Sequence, residues 1–382
     1  MYILIISRGI PTKNEPQFGC FEKDQAEALA SLGHKVVVVC VDGRFRITKR
    51  KIGITYIKES NIDFYESFLL PGKIARLFGS RLERFLKEYQ IDRLYCKVVK
   101  KHGKPDLIYA HFFYNILLGK FLKSKYDIPL VGIEHAARFV SNNLDKVSYQ
   151  SAKEAYESSD KVIAVSPHLA VALNRLFDIE PAIVSNVYNA IFDIRKYPRN
   201  ESGVFTFVSI GSLEHRKGFD ILIKAFKVFH QIYNDSQLII IGDGEEHNHL
   251  VSLAANSGLS SYVHFVGRKN KHEIAELMSS SNIFVLPSRS ETFGVVYIEA
   301  MALGLPVIGT RCGGPDDLIN SKNGCLVPVD DVSALSTAMV TSYEHYDIYD
   351  SAEIARECEE NYSSRAVAEK LVKVFNEVIK NT

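Results

Sequence analysis

The sequence predicts an α/β protein of two domains, each built on a parallel sheet with helices against it. Three observations lead there. Short β-branched runs alternate with amphipathic stretches through the first half, the pattern of strands and crossover helices. In the second half the apolar runs Phe205 to Ile210, Gln237–Ile241 and Ile283 to Leu286 each end in a polar or glycine-bearing loop. A length of 382 residues suits two cores of ordinary size better than one.

Composition narrows the class. A hydrophobic fraction of 46% with 24% charged residues is that of a soluble globular protein. No run of 18 apolar residues suggests a membrane-spanning helix. The start, Met1 to Arg8, lacks the basic segment of a signal peptide and reads as a first core strand. Six cysteines (Cys20, Cys40, Cys96, Cys312, Cys325, Cys358) show no Cys-x-x-Cys spacing. They are expected to be reduced thiols, neither a metal site nor a disulfide framework. The net charge of +1 conceals a split: residues 1–192 carry 28 Lys and Arg against 20 Asp and Glu, and the remainder carries 18 against 25. The first half is thus suited to an anionic neighbour.

Candidate strands in the first half are Tyr2–Ser7, Lys35–Val41, Ile54–Ile57, Asp106–Ala110, Leu130–Ile133, Lys161–Val165 and Ala182–Val187. A helix opens at Gly19 and stops near Gly33. Residues 68–104 are strongly basic, with Lys73, Arg76, Arg81, Arg84, Lys87, Arg93, Lys97, Lys100, Lys101 and Lys104 against three acids. Ile74, Leu77, Phe78, Leu82, Phe85 and Leu86 interleave at helical spacing. Two readings stay open: a solvated basic face over a packed apolar stripe, or a helix resting on anionic headgroups. His111 and the pair Glu134-His135 follow strands, at the edge where α/β sheets place ligands. A polar loop residue is the plainer alternative for each histidine. Residues 185–203 are turn-rich and read as the crossing between domains.

In the second half, Arg216 and Lys217 lie between the Phe205 strand and a helix running to about Phe229. Two adjacent cations there suit a diphosphate. Gly242-Asp243-Gly244 lacks the third glycine of a dinucleotide fingerprint, so NAD is not expected. Strands are also expected at Val263–Val266 and Pro306–Thr310. Between Ile283 and Thr310 a polar loop carrying Glu291 enters a helix that is apolar from Val295 to Leu303 except at Glu299. Such a helix is expected to be buried, with its carboxylate met by donors. The N–H groups of Phe293, Gly294 and Val295 at its start form an anion site. The alternative is that Glu291 caps the helix and Glu299 meets a structural partner.

Glu291 and Glu299, separated by seven residues within Ser-Glu-Thr-Phe-Gly…Glu-Ala-Met-Ala-Leu-Gly-Leu-Pro-Val-Ile, resemble the signature of retaining glycosyltransferases of family 4. The resemblance implies a GT-B fold: two Rossmann-like domains facing a central cleft, with a C-terminal helix returning to the first. It divides the chain into 1–192 for the acceptor, 193–362 for the nucleotide-sugar, and a terminal helix 363–382. By the resemblance, Glu291 holds sugar hydroxyls, Glu299 the ribose, and His135 the donor sugar near the acceptor. Gly19, Gly211, Gly242, Arg268, Thr292, Phe293, Gly294 and Val295 contact the donor, His111 the acceptor, and Glu134 either contacts the acceptor or orients His135. This chain departs from the family pattern in having one glycine at Gly19 and Asn189-Ala190 in place of Asn-Gly.

The expected reaction moves a hexosyl unit, from a UDP-linked donor and with retention, to a glycan or lipid-linked acceptor in surface polysaccharide synthesis. Arg216 and Lys217 stabilise the departing diphosphate, with no cofactor and no metal. The expected setting is cytoplasmic, peripheral on the inner membrane face, with no nucleic-acid partner. Two rivals remain: a nucleotide-sugar epimerase of the same architecture, and a non-catalytic nucleotide-sugar binder.

Overall fold

The computed structural model describes residues 1–12, 15, 18–44, 51–69, 74, 77, 79–140, 144–199 and 203–381. The expectations for Lys73, Arg76 and Phe78 therefore lie outside the described residues. The chain divides into two compact units, Met1–Val187 with Ser364–Thr382, and Tyr188–Ser363.

The first unit is built on an eight-stranded sheet: β1 (Tyr2–Ser7), β2 (Lys35–Val41), β3 (Gly53–Glu59), β4 (Ile62–Phe68), β5 (Leu107–His111), β6 (Leu130–Glu134), β7 (Lys161–Ala164) and β8 (Ala182–Ile183). Their order is β3-β4-β2-β1-β5-β6-β7-β8. Every side chain of β1 is buried, as a central parallel strand covered on both faces requires. Helices α1 (Cys20–Ser31), α2 (Ser80–His102), α3 (Phe113–Tyr126), α4 (Lys146–Ser158) and α5 (Pro167–Phe177) cover the faces. Gly19 caps α1 at φ 84°, and a Cβ there would fall 2.1 Å from the Gly9 carbonyl oxygen, so the turn requires glycine.

The expectation of a purely parallel sheet needs one correction. β3 runs antiparallel to β4, which the sequence reading did not find. Ser60 and Asn61, both at positive φ, make the two-residue turn between them.

The second unit has six strands, all parallel: β9 (Phe205–Ile210), β10 (Ser236–Ile241), β11 (Val263–Gly267), β12 (Ile283–Leu286), β13 (Val307–Thr310) and β14 (Gly324–Val327). Their order is β11-β10-β9-β12-β13-β14; β14 was also unforeseen. The helices are α6 (Phe219–Ile232), α7 (His247–Asn256), α8 (Lys271–Ser279), α9 (Val295–Ala302), α10 (Val332–Glu344) and α11 (Ser351–Tyr362). A last helix, α12 (Ser364–Asn381), belongs to the first unit and packs on α1. It buries Val367, Leu371, Val374, Phe375 and Val378, and the Phe375 ring meets Tyr109 edge-on at 5.0 Å.

Strand order reverses between β1 and β5 in one sheet and between β9 and β12 in the other. These are the switch points where the carboxyl edge of an open α/β sheet holds ligands.

Candidate active site

At the switch point of the second unit, the loop after β9 carries a 3₁₀ turn, His215–Lys217, and the loop after β12 carries Glu291. The two loops meet. Lys217 Nζ donates to Glu291 Oε1 at 2.5 Å, and Ser288 Oγ donates to the same oxygen at 2.8 Å. Arg216 Nη1 lies 3.7 Å from the other oxygen, Oε2, and donates to the Ser290 carbonyl at 2.9 Å. Lys217 is 13% exposed and Arg216 42%, so one cation is enclosed and the other faces solvent. The Lys217 stem lies against Gly211, 3.6 Å from where a Cβ would stand.

Protein contacts hold this geometry rigidly. Arg289 makes two 3.0 Å bonds to Asp220 on α6 and an ion pair with Asp330 at 2.7 Å. Gly314 N donates to the Glu291 carbonyl at 2.9 Å. Tyr297, fully buried in α9, donates to the Leu286 carbonyl at 2.5 Å and ties the helix to the end of β12. Ser288, Arg289 and Tyr297 were not singled out from sequence, although all three stand within or beside the Glu291 loop.

Several expectations change. Glu299 is half-buried, not enclosed; Val295 and Val296 share its partial exposure, so one side of α9 is open. Thr292 and Phe293 are buried. Gly242 was expected to let the backbone approach a nucleotide. A notional Cβ there would stand 1.9 Å from the Gly211 carbonyl oxygen, with φ at 142°. Glycine there lets the loops after β9 and β10 pack together. Arg268 is 77% exposed, 3.9 Å from Asp243, and follows β11, two strands from the Lys217–Glu291 pair.

In the first unit, His111 ends β5 and His135 follows β6, and the two strands are neighbours. His111 Nδ1 and His135 Nε2 are 3.2 Å apart, with rings parallel to within 9°. Both are buried, and burial pushes both imidazoles well below their usual range. With burial favouring the neutral form of each ring, one ring donates an N–H to the other across this contact. His111 is fully buried. Glu134 is likewise enclosed. Its Oε1 accepts from His135 N and Ala136 N at 2.9 Å, and its Oε2 accepts from Phe113 N at 3.0 Å and Tyr156 Oη at 2.8 Å. Burial pushes its carboxyl up against the pull of these four donors. With these four bonds Glu134 has the geometry of a group that orients the His135 turn.

Arg8, after β1, was missed. Its Nε and Nη2 donate to the fully buried Glu22 at 2.8 and 3.2 Å, and its guanidinium lies 4.1 Å over the Phe112 ring. An arginine directly following the first strand was the available signal.

Two family models match end to end. Glycosyltransferase Family 4 matches residues 23–192, and Glycosyl transferases group 1 matches residues 191–361. The chain belongs to the family 4 glycosyltransferases of GT-B type. A putative teichuronic acid biosynthesis glycosyltransferase, TuaC, of Bacillus subtilis is 27% identical, covering 98% of this chain and 97% of that one. An uncharacterized glycosyltransferase of Methanocaldococcus jannaschii is 33% identical over 58% of this chain and 60% of its own length. Among solved structures, Anabaena HepE in complex with UDP and glucose matches with a TM-score of 0.73 at 20% identity, covering 98% of this chain and 99% of that one. These likenesses bear out the expected GT-B fold and glycosyltransferase class.

Proposed function

We propose that this glycosyltransferase moves a hexosyl unit from a UDP-linked sugar to a hydroxyl of a glycan or lipid-linked acceptor, with retention of anomeric configuration. The observation that carries the reading is the meeting of Arg216, Lys217 and Glu291 at the switch point of the second unit. The barrier to sugar transfer is departure of the diphosphate while positive charge grows at the anomeric carbon. Arg216 and Lys217 present positive charge where the leaving group sits, against Glu291 and the half-exposed Glu214, and the N-terminus of α9 adds to it. Lys217 acts as a compact charge and Arg216 as a planar fork. Glu291 Oε1 is committed to Lys217 and Ser288, leaving Oε2 for sugar hydroxyls. The half-exposed Glu299 accepts from the ribose, and Arg268 and the backbone after β11 serve the base. His135, with its turn oriented by Glu134, stands near the transferred sugar.

UDP and glucose in the HepE complex, and the teichuronic acid pathway in the TuaC name, support a UDP donor and a surface-polysaccharide product. No helix of the described residues is long and apolar enough to cross a membrane. Peripheral contact with the inner membrane face is supported by Leu77 and by α2. Leu77 is 83% exposed and Phe85 62%, beside Arg81 and Arg84. The apolar positions expected as a packed stripe are thus largely uncovered, while Glu83 is buried. Release of nucleoside diphosphate over a panel of nucleotide-sugars tests the reading: UDP-linked donors are expected to turn over, and turnover of none of them overturns it.

A further inference from the structure

Phe112 joins β5 to α3 with φ 68° and ψ 144°. A bulky residue rarely adopts this conformation, and such outliers gather where function holds them. Its backbone shows what imposes the strain. Phe112 N donates to Ile133 O at 2.8 Å, continuing the sheet, while its carbonyl accepts from Asn115 N and Ile116 N at 2.9 and 3.0 Å, opening the helix. The chain therefore turns from strand to helix within one residue, where glycine would do so without strain.

A phenylalanine there gains ring contacts that glycine lacks. The Phe112 ring lies 4.9 Å from His135, and the Arg8 guanidinium sits 4.1 Å over it. Tyr114, the second residue of α3, stacks on it at 5.6 Å, parallel to within 12°. Phe112 is buried, whereas Tyr114 is 41% exposed. Arg8 follows β1, Phe112 follows β5 and His135 follows β6, so these groups stand at the switch-point edge of the first unit. Of the three guanidinium nitrogens of Arg8, Nε and Nη2 donate to Glu22, and Nη1 makes no hydrogen bond to the described residues.

We infer that the Phe112–Tyr114 stack is the platform for a pyranose ring of the acceptor, and that the acceptor hydroxyl belongs to a sugar. The apolar C–H face of a pyranose packs on an aromatic face held rigid from behind, as Tyr114 is by Phe112. The adjacent guanidinium serves the ring hydroxyls. This rests on the proposed transfer reaction for its role, but the binding claim is testable alone.

The chain contains no tryptophan, so Tyr114→Trp introduces a single emitter at the platform while keeping an aromatic face. Titration with methyl glycosides of glucose, galactose and N-acetylglucosamine is expected to shift or quench its emission saturably with at least one, and glycerol at equal concentration is not. No saturable response to any of the three overturns the platform, whether or not the chain turns over UDP-sugars. If donor turnover is absent while the glycoside response is present, the transfer reading fails and the platform stands. With an active donor and a glycoside acceptor, Tyr114→Ala is expected to raise acceptor KM about tenfold. Affinity for UDP should stay within about twofold, and Tyr114→Phe should restore the acceptor KM. A Phe variant as impaired as Ala would assign the effect to the hydroxyl and overturn stacking.

Discussion

Replacing Arg216 by alanine separates leaving-group stabilisation from scaffolding. Arg216 is nearly half exposed, with one 2.9 Å bond to the Ser290 carbonyl and carboxylates at 3.7 and 3.9 Å. Exposed pairs of this kind contribute about 0–1 kcal/mol to stability. For a unit of this size that corresponds to a fall in Tm of about 2–4 °C at most. Lys217 differs: it sits 2.5 Å from Glu291, and both are nearly buried. Lys217→Ala strands the carboxylate, and breaking a buried pair costs about 3–5 kcal/mol in the fully enclosed limit. Arg216→Ala is therefore the cleaner probe. If its charge acts on the departing diphosphate, turnover with the UDP-sugar should fall about 10²–10³-fold. The fall should lie in kcat more than in ground-state affinity. With an aryl glycoside donor of low leaving-group pKa, the loss should be clearly smaller. Steady-state kinetics with both donors, beside thermal melts, make the test. Equal losses with both donors, or a melt lowered by ten degrees, would refute the reasoning.

Three further outcomes are expected. Glu299→Ala should weaken binding of free UDP in isothermal titration, whereas Glu291→Ala should spare it and lower turnover; unchanged affinity in the Glu299 variant would remove the ribose assignment. His111 and His135 are held neutral by burial, while in the unfolded chain each takes up a proton as pH falls through about 6.5. Their contribution to stability is thus full above that pH and is lost below it, by up to about 1.4 kcal/mol per pH unit for each. Tm should accordingly fall less steeply from pH 7.5 to 5.5 in His111→Phe than in the parent, and parallel curves would contradict the neutral pair. Flotation with anionic vesicles should recover the protein in a salt-sensitive way, each basic residue near the surface contributing about 1 kcal/mol; equal recovery with neutral lipid would return α2 to a solvated face.

The strands and the loops after β9 and β12 were legible because β-branched runs ending in polar turns carry a short-range signal. β4 was hidden: Phe64-Tyr65 breaks its alternation, and its turn uses Ser60-Asn61 in left-handed backbone in place of Asn-Gly. β14 spans four residues and includes a glycine. The His111–His135 pairing depends on which strands are neighbours and in what register, which periodicity does not encode. Glu299 was misjudged because an all-apolar helix was taken as enclosed on every side, whereas α9 leaves Val295, Val296 and Glu299 half-exposed. Glu134 and His111 stand at the strand edge as expected, yet burial gives them protein partners, and burial at a loop is decided by distant segments.

The central claim is retaining transfer to an acceptor hydroxyl, and the anomeric configuration of the product tests it most directly. Proton NMR of a UDP-α-hexose incubated with wild-type protein, with and without a methyl glycoside acceptor, should show an α-linked disaccharide only when the acceptor is present. A β-linked product, or conversion of the nucleotide-sugar into an epimer without any acceptor, would contradict the account.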